Sequence, residues 1–152
     1  MITARPCLKS DKSFVYELTR QNIAYYFIRN TQEGWSDEKF QKGFDPAKIT
    51  IIERDAKPIG FYDIETVLGN PSYLYIRNCE VVDGKRGVGI TLNRLVDEEA
   101  RKRNLCLIKA KVFKNNSRAL LLFRMIGYHV VEDRELALEN SVYIEKRIAK
   151  RL

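Results

Sequence analysis

The chain has 152 residues, a formal charge of +7 and a pI near 9.4, with 45% hydrophobic and 31% charged residues. That size fits one domain over residues 1–152, with a core able to stand without disulfides or a structural metal. The composition excludes a low-complexity or disordered chain, no apolar run reaches bilayer-spanning length, and the start Met1-Ile2-Thr3-Ala4-Arg5-Pro6 lacks a signal-peptide pattern, so the cytoplasm is the expected location.

In chain order, Ile2 to Leu8 reads as a strand, and Ser10-Asp11 as the cap of a helix to about Asn22, with Phe14, Val15 and Leu18 on one face. The aromatic-rich stretch from Ile23 to Gly34 matches neither period. Ser36-Asp37-Glu38 opens a second short helix, its acids placed well for the helix dipole. Ile49 to Glu53 and Ile59 to Val67 form a hairpin around the turn at residues 54–58. Gly69-Asn70-Pro71 is the next turn, and Tyr73 to Val82 a long strand broken by Asp83-Gly84. Val88, Leu92, Leu95, Val96 and Ala100 make an apolar stripe on a helix ending near Arg103. A strand from Leu105 to Phe113 follows, then a helix capped at Asn115-Asn116-Ser117 and stopped by Gly127. Tyr128 to Val131 and Ser141 to Ile148 are the last strands. Hairpins followed by alternating strands and helices indicate an α/β sandwich on a mixed sheet.

Cys7, Cys79 and Cys106 stand far apart with no CxxC pair, so neither zinc nor dithiol chemistry is expected and no metal is assigned. The positive charge favours anionic ligands, but it alternates with acids, as in Asp97 to Arg103, which argues against a nucleic-acid partner. His129 has no Ser or Cys in a triad context and reads as structural.

The informative segment is Cys79 to Leu92: a strand end, a glycine-bearing loop, then an amphipathic helix at once. A helix start offers unpaired N–H groups and a positive dipole end, and small residues admit a phosphate to them. Lys85 and Arg86 add cations beside that point. A P-loop would require Lys-Ser/Thr where Ile90-Thr91 stands; a dinucleotide fingerprint would require a third glycine where Leu92 stands.

Arg86-Gly87-Val88-Gly89-Ile90-Thr91 resembles the acetyl-CoA motif of the GNAT superfamily of N-acetyltransferases, Arg/Gln-x-x-Gly-x-Gly/Ala, with Thr91 departing at the last position. Asn116-x-x-Ala119-x-x-Leu122-Phe123-x-x-x-Gly127-Tyr128 resembles the same family's later motif, at its usual separation. The Tyr25-Tyr26, Gly34 to Glu38 and Lys57 to Phe61 segments are similar to members of it as well.

The resemblance implies an α/β (α+β) fold with a mixed, mostly antiparallel sheet of about seven strands flanked by about four helices, in the order β-α-α-β-β-β-α-β-α-β-β. It implies acetyl-CoA as co-substrate and an amine acceptor, with direct acetyl transfer in a ternary complex. Cys79, Glu80 and Val81 would pair with the pantetheine arm. Arg86, Gly87, Val88, Gly89, Ile90 and Thr91, with the N–H of Leu92, would cradle the pyrophosphate, and Asn116 would contact the pantetheine or a phosphate. Phe123 stands where the family often carries a tyrosine acid. Lys111 stands where N-terminal acetyltransferases of ribosomal proteins carry a glutamate. Tyr25, Tyr26 and Trp35 are acceptor-wall candidates, and Glu80 is the candidate base, being the one carboxylate in that strand. A longer acyl-CoA donor and a non-catalytic CoA-binding module remain alternatives, and a homodimer is compatible with the sequence.

Overall fold

In the computed structural model the described residues are 1–82, 87–131 and 140–149. Their elements run β1 (Ile2–Pro6), α1 (Lys12–Asn30), α2 (Asp37–Gly43), β2 (Ile49–Arg54), β3 (Lys57–Val67), β4 (Tyr73–Val81), α3 (Val88–Lys102), β5 (Leu107–Phe113), α4 (Ser117–Met125), β6 (His129–Val131) and β7 (Ser141–Arg147). The element order is the expected one. The strands form a seven-stranded sheet in the order β1-β2-β3-β4-β5-β7-β6, antiparallel throughout except for the parallel β4–β5 pair.

Strand alternation sorts the apolar residues onto two faces. Ile49, Ile51 and Phe61 join Val15 and Leu18 of α1 in one cluster. Ile52, Tyr62, Ile64, Leu74 and Ile76 join Val88, Leu92, Val96 and Ala100 of α3 in the other, with Phe123 of α4. The stripe expected on α3 is therefore its buried face, and each such aliphatic side chain contributes roughly 1.5–3 kcal/mol of transfer free energy.

α1 runs eight residues beyond the expected end at Asn22 and takes in the unassigned stretch through Asn30. No Gly or Pro interrupts residues 12–30, and the helix stops where Thr31 turns extended and Gly34 adopts a φ of 65°. The period was hidden because the inward face, Val15, Thr19, Ile23, Phe27 and Asn30, mixes polar with apolar groups. Asp11 also departs from its expected role. Its side chain makes no bond into α1; it accepts the Leu8 N–H at 2.7 Å and both Arg5 Nη atoms at 2.7 and 2.9 Å. The Arg5 guanidinium holds this carboxyl below its usual range, and Glu53 approaches Arg5 Nε at 3.2 Å.

Candidate functional site

The site begins with the register of β4. Leu74, Tyr75 and Ile76 pair with Ile108, Lys109 and Ala110 of β5, and there the pairing ends although both strands continue. On its other edge β4 stays paired with β3 to Val81. From Arg77 onward the backbone facing β5 thus has no strand partner, and the two strands open a cleft. A cavity of about 950 Å³ fills the opening, within the range of small-molecule and cofactor sites.

A bulge sets what faces it. Asp63 pairs with Asn78 and Ile64 with Ile76, so Arg77 is the extra residue. Before the bulge Leu74 and Ile76 point to the α3 face; after it Cys79 and Val81 take that face. Asn78 and Glu80 therefore turn toward α1, where Asn78 Nδ2 donates to Thr19 Oγ1 at 3.0 Å. Asn22 Nδ2 donates to Glu80 Oε1 at 3.2 Å and to the Val81 carbonyl at 3.1 Å. Gly60 lets β3 close up behind this point, since a Cβ there would stand 2.8 Å from the Glu80 carbonyl.

Glu80 is half-buried, open on the cavity and backed by its ladder partner Phe61, which is fully buried. Loss of hydration pushes its carboxyl up to about 8, against the Asn22 hydrogen bond, which lowers it. Cys79 also lines the cavity, and burial, then the Glu80 charge, pushes its thiol far above the ordinary range. A thiol so held is a poor nucleophile at neutral pH.

The opposite wall comes from β5 and α4. Asn116 is the N-cap of α4, its Oδ1 accepting the Ala119 N–H at 3.3 Å, and it lines the cavity as well. Phe123 lines the cavity with its ring edge-to-face on Tyr128, centroids 5.0 Å apart. Tyr128 is 3% exposed and is not part of the lining; its hydroxyl has no hydrogen-bond partner among the described residues. Asn30 closes one end by accepting from Asn140 Nδ2 at 2.7 Å and donating to Asn115 Oδ1 at 3.0 Å.

At the start of α3, Gly87 is the N-cap with a left-handed φ of 76°. The Thr91 N–H is already given to the Gly87 carbonyl at 3.1 Å, so among the described residues the first-turn amides without a partner are those of Val88, Gly89 and Ile90. Val88 and Leu92 send their side chains into the core, and Leu92 lies inside the helix. A Cβ on Gly89 would stand 3.0 Å from Leu122 Cδ2 of α4, so a larger side chain there would have to displace the end of the Leu122 side chain. Lys85 and Arg86 lie outside the described residues.

Of the acceptor-wall candidates, Trp35 lines the cavity, with its indole donating to Asp37 Oδ1 at 2.8 Å. Tyr25 and Tyr26 do not line it. Tyr25 is 56% exposed, and the helix turns Ile23 and Phe27 inward instead. Asn22, Asn30, Asp63 and Arg77 were absent from the sequence expectations. The inward polar positions of a helix and a bulge residue carry no local signal that separates them from solvated surface.

No family model and no curated protein matches the chain. Solved structures do. The ribosomal-protein-S18-alanine N-acetyltransferase from Escherichia coli superposes with a TM-score of 0.73 at 16% identity, over 100% of this chain and 97% of that one. The PaiA N-acetyltransferase from Thermoplasma acidophilum, solved with coenzyme A, gives 0.72 at 15% identity, over 97% and 99%. Arabidopsis thaliana NAA60, solved with a bisubstrate analogue, gives 0.69 at 18%, over 99% and 100%. At these identities the likeness establishes architecture, and the fold is that of the GNAT N-acetyltransferases.

Proposed function

We propose that the protein is an N-acetyltransferase that moves acetyl from acetyl-CoA to a primary amine, on a small molecule or a peptide, by direct transfer in a ternary complex. The observation that carries this reading is the cleft where β4 leaves β5 after Ile76, with Glu80 on its floor. The residues fit coenzyme A: an unpaired strand edge at Cys79 to Val81 for an amide-bearing arm, and free amides at Val88 to Ile90 for a pyrophosphate. Arg86 would add its charge there, and Asn116 would meet the arm from across the cleft.

In the reaction the acceptor nitrogen forms a bond to the acetyl carbon and the carbon–sulfur bond breaks. Glu80 in its ionised form accepts the proton that the ammonium must lose, and with a carboxyl near 8 the share of that form grows as pH rises from neutrality. The electron pair of the broken bond leaves on sulfur, which is protonated from solvent or from the amine, because Phe123 has no proton to give. Free backbone N–H groups of the splayed strand stabilise the oxyanion. The raised thiol of Cys79 favours direct transfer over an acyl-cysteine relay. Trp35, Ile23 and Phe27 form the acceptor side, and the site of action is the cytoplasm.

The test is a thermal-shift titration with acetyl-CoA followed by an acceptor screen read as free thiol. A ligand that binds the native state alone raises the melting temperature with its concentration. A flat titration to millimolar acetyl-CoA overturns the reading, and a shift without thiol release on any amine reduces it to a CoA-binding module.

A further inference from the structure

The acceptor side of the cavity is lined by a row of rings. Phe113 of β5 meets Phe27 of α1 edge-to-face, centroids 5.1 Å apart, and Phe27 meets Trp35 in the same way at 5.9 Å. Trp35 lies 6.5 Å from Phe40 of α2, and Phe40 lies 6.0 Å from Phe44. All five line the cavity, and all five are only half-buried. Rings are among the largest apolar groups a fold can bury, so a row left part-exposed on one cavity wall marks surface that a ligand covers.

The charges of the cavity balance. Among the described residues its lining holds three acids, Glu33, Asp63 and Glu80, and three bases, Lys39, Arg77 and Lys111. Lys39 is paired with Glu33, and Arg77 with Asp63. The polar groups set between the rings are engaged as well. Thr31 Oγ1 donates to the Phe27 carbonyl at 2.7 Å and accepts the Gly34 N–H at 3.0 Å, and Ser36 Oγ accepts the Lys39 N–H at 3.2 Å. The Trp35 indole N–H is given to Asp37 at 2.8 Å, which fixes the ring before anything binds and lowers the ordering cost of binding. What this wall offers a ligand is ring surface. It also stands within reach of the carboxylate. Asn22, which holds Glu80, and Phe27 are both on α1, and at 1.5 Å per residue Phe27 lies about 7.5 Å further along the axis. Two or three carbons between an amine and a ring cover that span.

Building on the acetyl-transfer reading, we propose that the acceptor is a primary amine two or three carbons from an aromatic ring, with the ring against Phe27 and Trp35 and the amine at Glu80. The ligand ring extends the edge-to-face row, and acceptor selection falls to Phe27 and Trp35 instead of a second charge. A free arylethylamine and the aromatic first residue of a peptide share this chemistry.

The test is calorimetric titration of the CoA-saturated protein with 2-phenylethylamine, 2-cyclohexylethylamine and 1-aminobutane, and with the peptides phenylalanylglycylglycine and leucylglycylglycine. The phenyl amine is expected to bind about tenfold or more tightly than 1-aminobutane, through its added apolar area. It is expected to exceed the cyclohexyl amine, which has the same length but no π face, by about three- to tenfold. The tighter of the phenyl amine and the phenylalanyl peptide names the source of the ring. Phe27→Leu and Trp35→Leu keep an apolar wall but remove a ring. Each is expected to bring the phenyl-to-cyclohexyl ratio close to one and to leave 1-aminobutane unchanged. Equal binding within both aromatic–aliphatic pairs, no gain over 1-aminobutane, or a ratio that survives both substitutions overturns the proposal. So does an equal loss of every amine in the variants, which would make the rings structural. If a variant does not fold, the wild-type series decides. Absence of a CoA-induced thermal shift sinks the parent reading, whereas a normal shift without preference for the ring sinks this inference alone.

Discussion

The two halves of β4 are one strand with two occupations. From Leu74 to Ile76 it is paired on both edges, and Leu74 is fully buried against the α3 cluster. From Arg77 to Val81 it is paired on one edge, and its residues line the cavity through Glu80. The bulge at Arg77 divides them, and it also reverses which face each side chain takes. Packing in the first half supports the sheet; forgone pairing in the second leaves backbone and carboxylate available to a ligand. Substitutions on either side of Arg77 should therefore fail in different ways.

The largest separation is expected from Glu80→Gln, which keeps size and polarity but removes the base. Turnover should fall roughly 10²–10⁴-fold with acetyl-CoA affinity little changed. The acidic limb of the pH–rate profile, set by a group near 8, should disappear. Steady-state kinetics between pH 6 and 9 checks both. A loss well short of tenfold with the limb intact removes Glu80 from the chemistry.

Leu74→Ala is the counterpart in the closed half. It deletes a fully buried side chain from the larger cluster and should cost about 2–5 kcal/mol in urea unfolding. The rate per folded molecule should hold, since Leu74 does not line the cavity. A selective loss of turnover there would erase the division at the bulge.

How much of this was legible from sequence also divides at the bulge. The element order and α3 could be read, because a Val88, Leu92, Val96, Ala100 stripe states its own period. Alternation placed Asn78 and Glu80 on one face, and they share it. One extra residue inverts alternation and is visible only against β3. The far half of α1 was hidden for a related reason: Thr19, Asn22 and Asn30 put amides and a hydroxyl where a packing face would carry leucines. Positions that bear on the cleft lose the periodicity by which structure is recognised. Arg86 falls outside the described residues, so its place in a phosphate cradle rests on motif resemblance.

A smaller effect tests the acids of the open half together. Glu80 and Asp63 have folded-state values of about 8 and 7, against unfolded values of about 4.3 and 3.9. Between roughly pH 4 and 8 the native state holds more protons than the unfolded one, so stability falls as pH rises through that window. Each group contributes a slope of up to about 1.4 kcal/mol per pH unit. Asp11, held low by Arg5, acts in the opposite sense and loses its contribution as pH falls below about 4. Urea midpoints at pH 5 and 8 should thus favour pH 5, and Glu80→Gln should shrink the difference. An unchanged difference would mean that Glu80 is not desolvated in the folded protein.

The smallest expected effect lies across the cleft, at Phe123→Tyr. The ring is 7% exposed, lines the cavity and meets Tyr128 edge-to-face, so an added hydroxyl has two places to go. Directed into the core it would be a buried polar group without a donor or acceptor, at a cost of about 1–3 kcal/mol. Directed into the cavity it keeps its hydration and stands where a departing thiolate needs a proton. The second orientation predicts an unchanged melting temperature, normal acetyl-CoA affinity, a modest rise in turnover and a new basic limb from the phenol. The first predicts a lower melting temperature and no gain. A variant with wild-type stability, affinity, rate and pH profile would show that position 123 lies out of reach of the sulfur. The thiolate would then take its proton from solvent or from the acceptor amine, and the catalytic side chains of the cleft would all belong to the open half of β4.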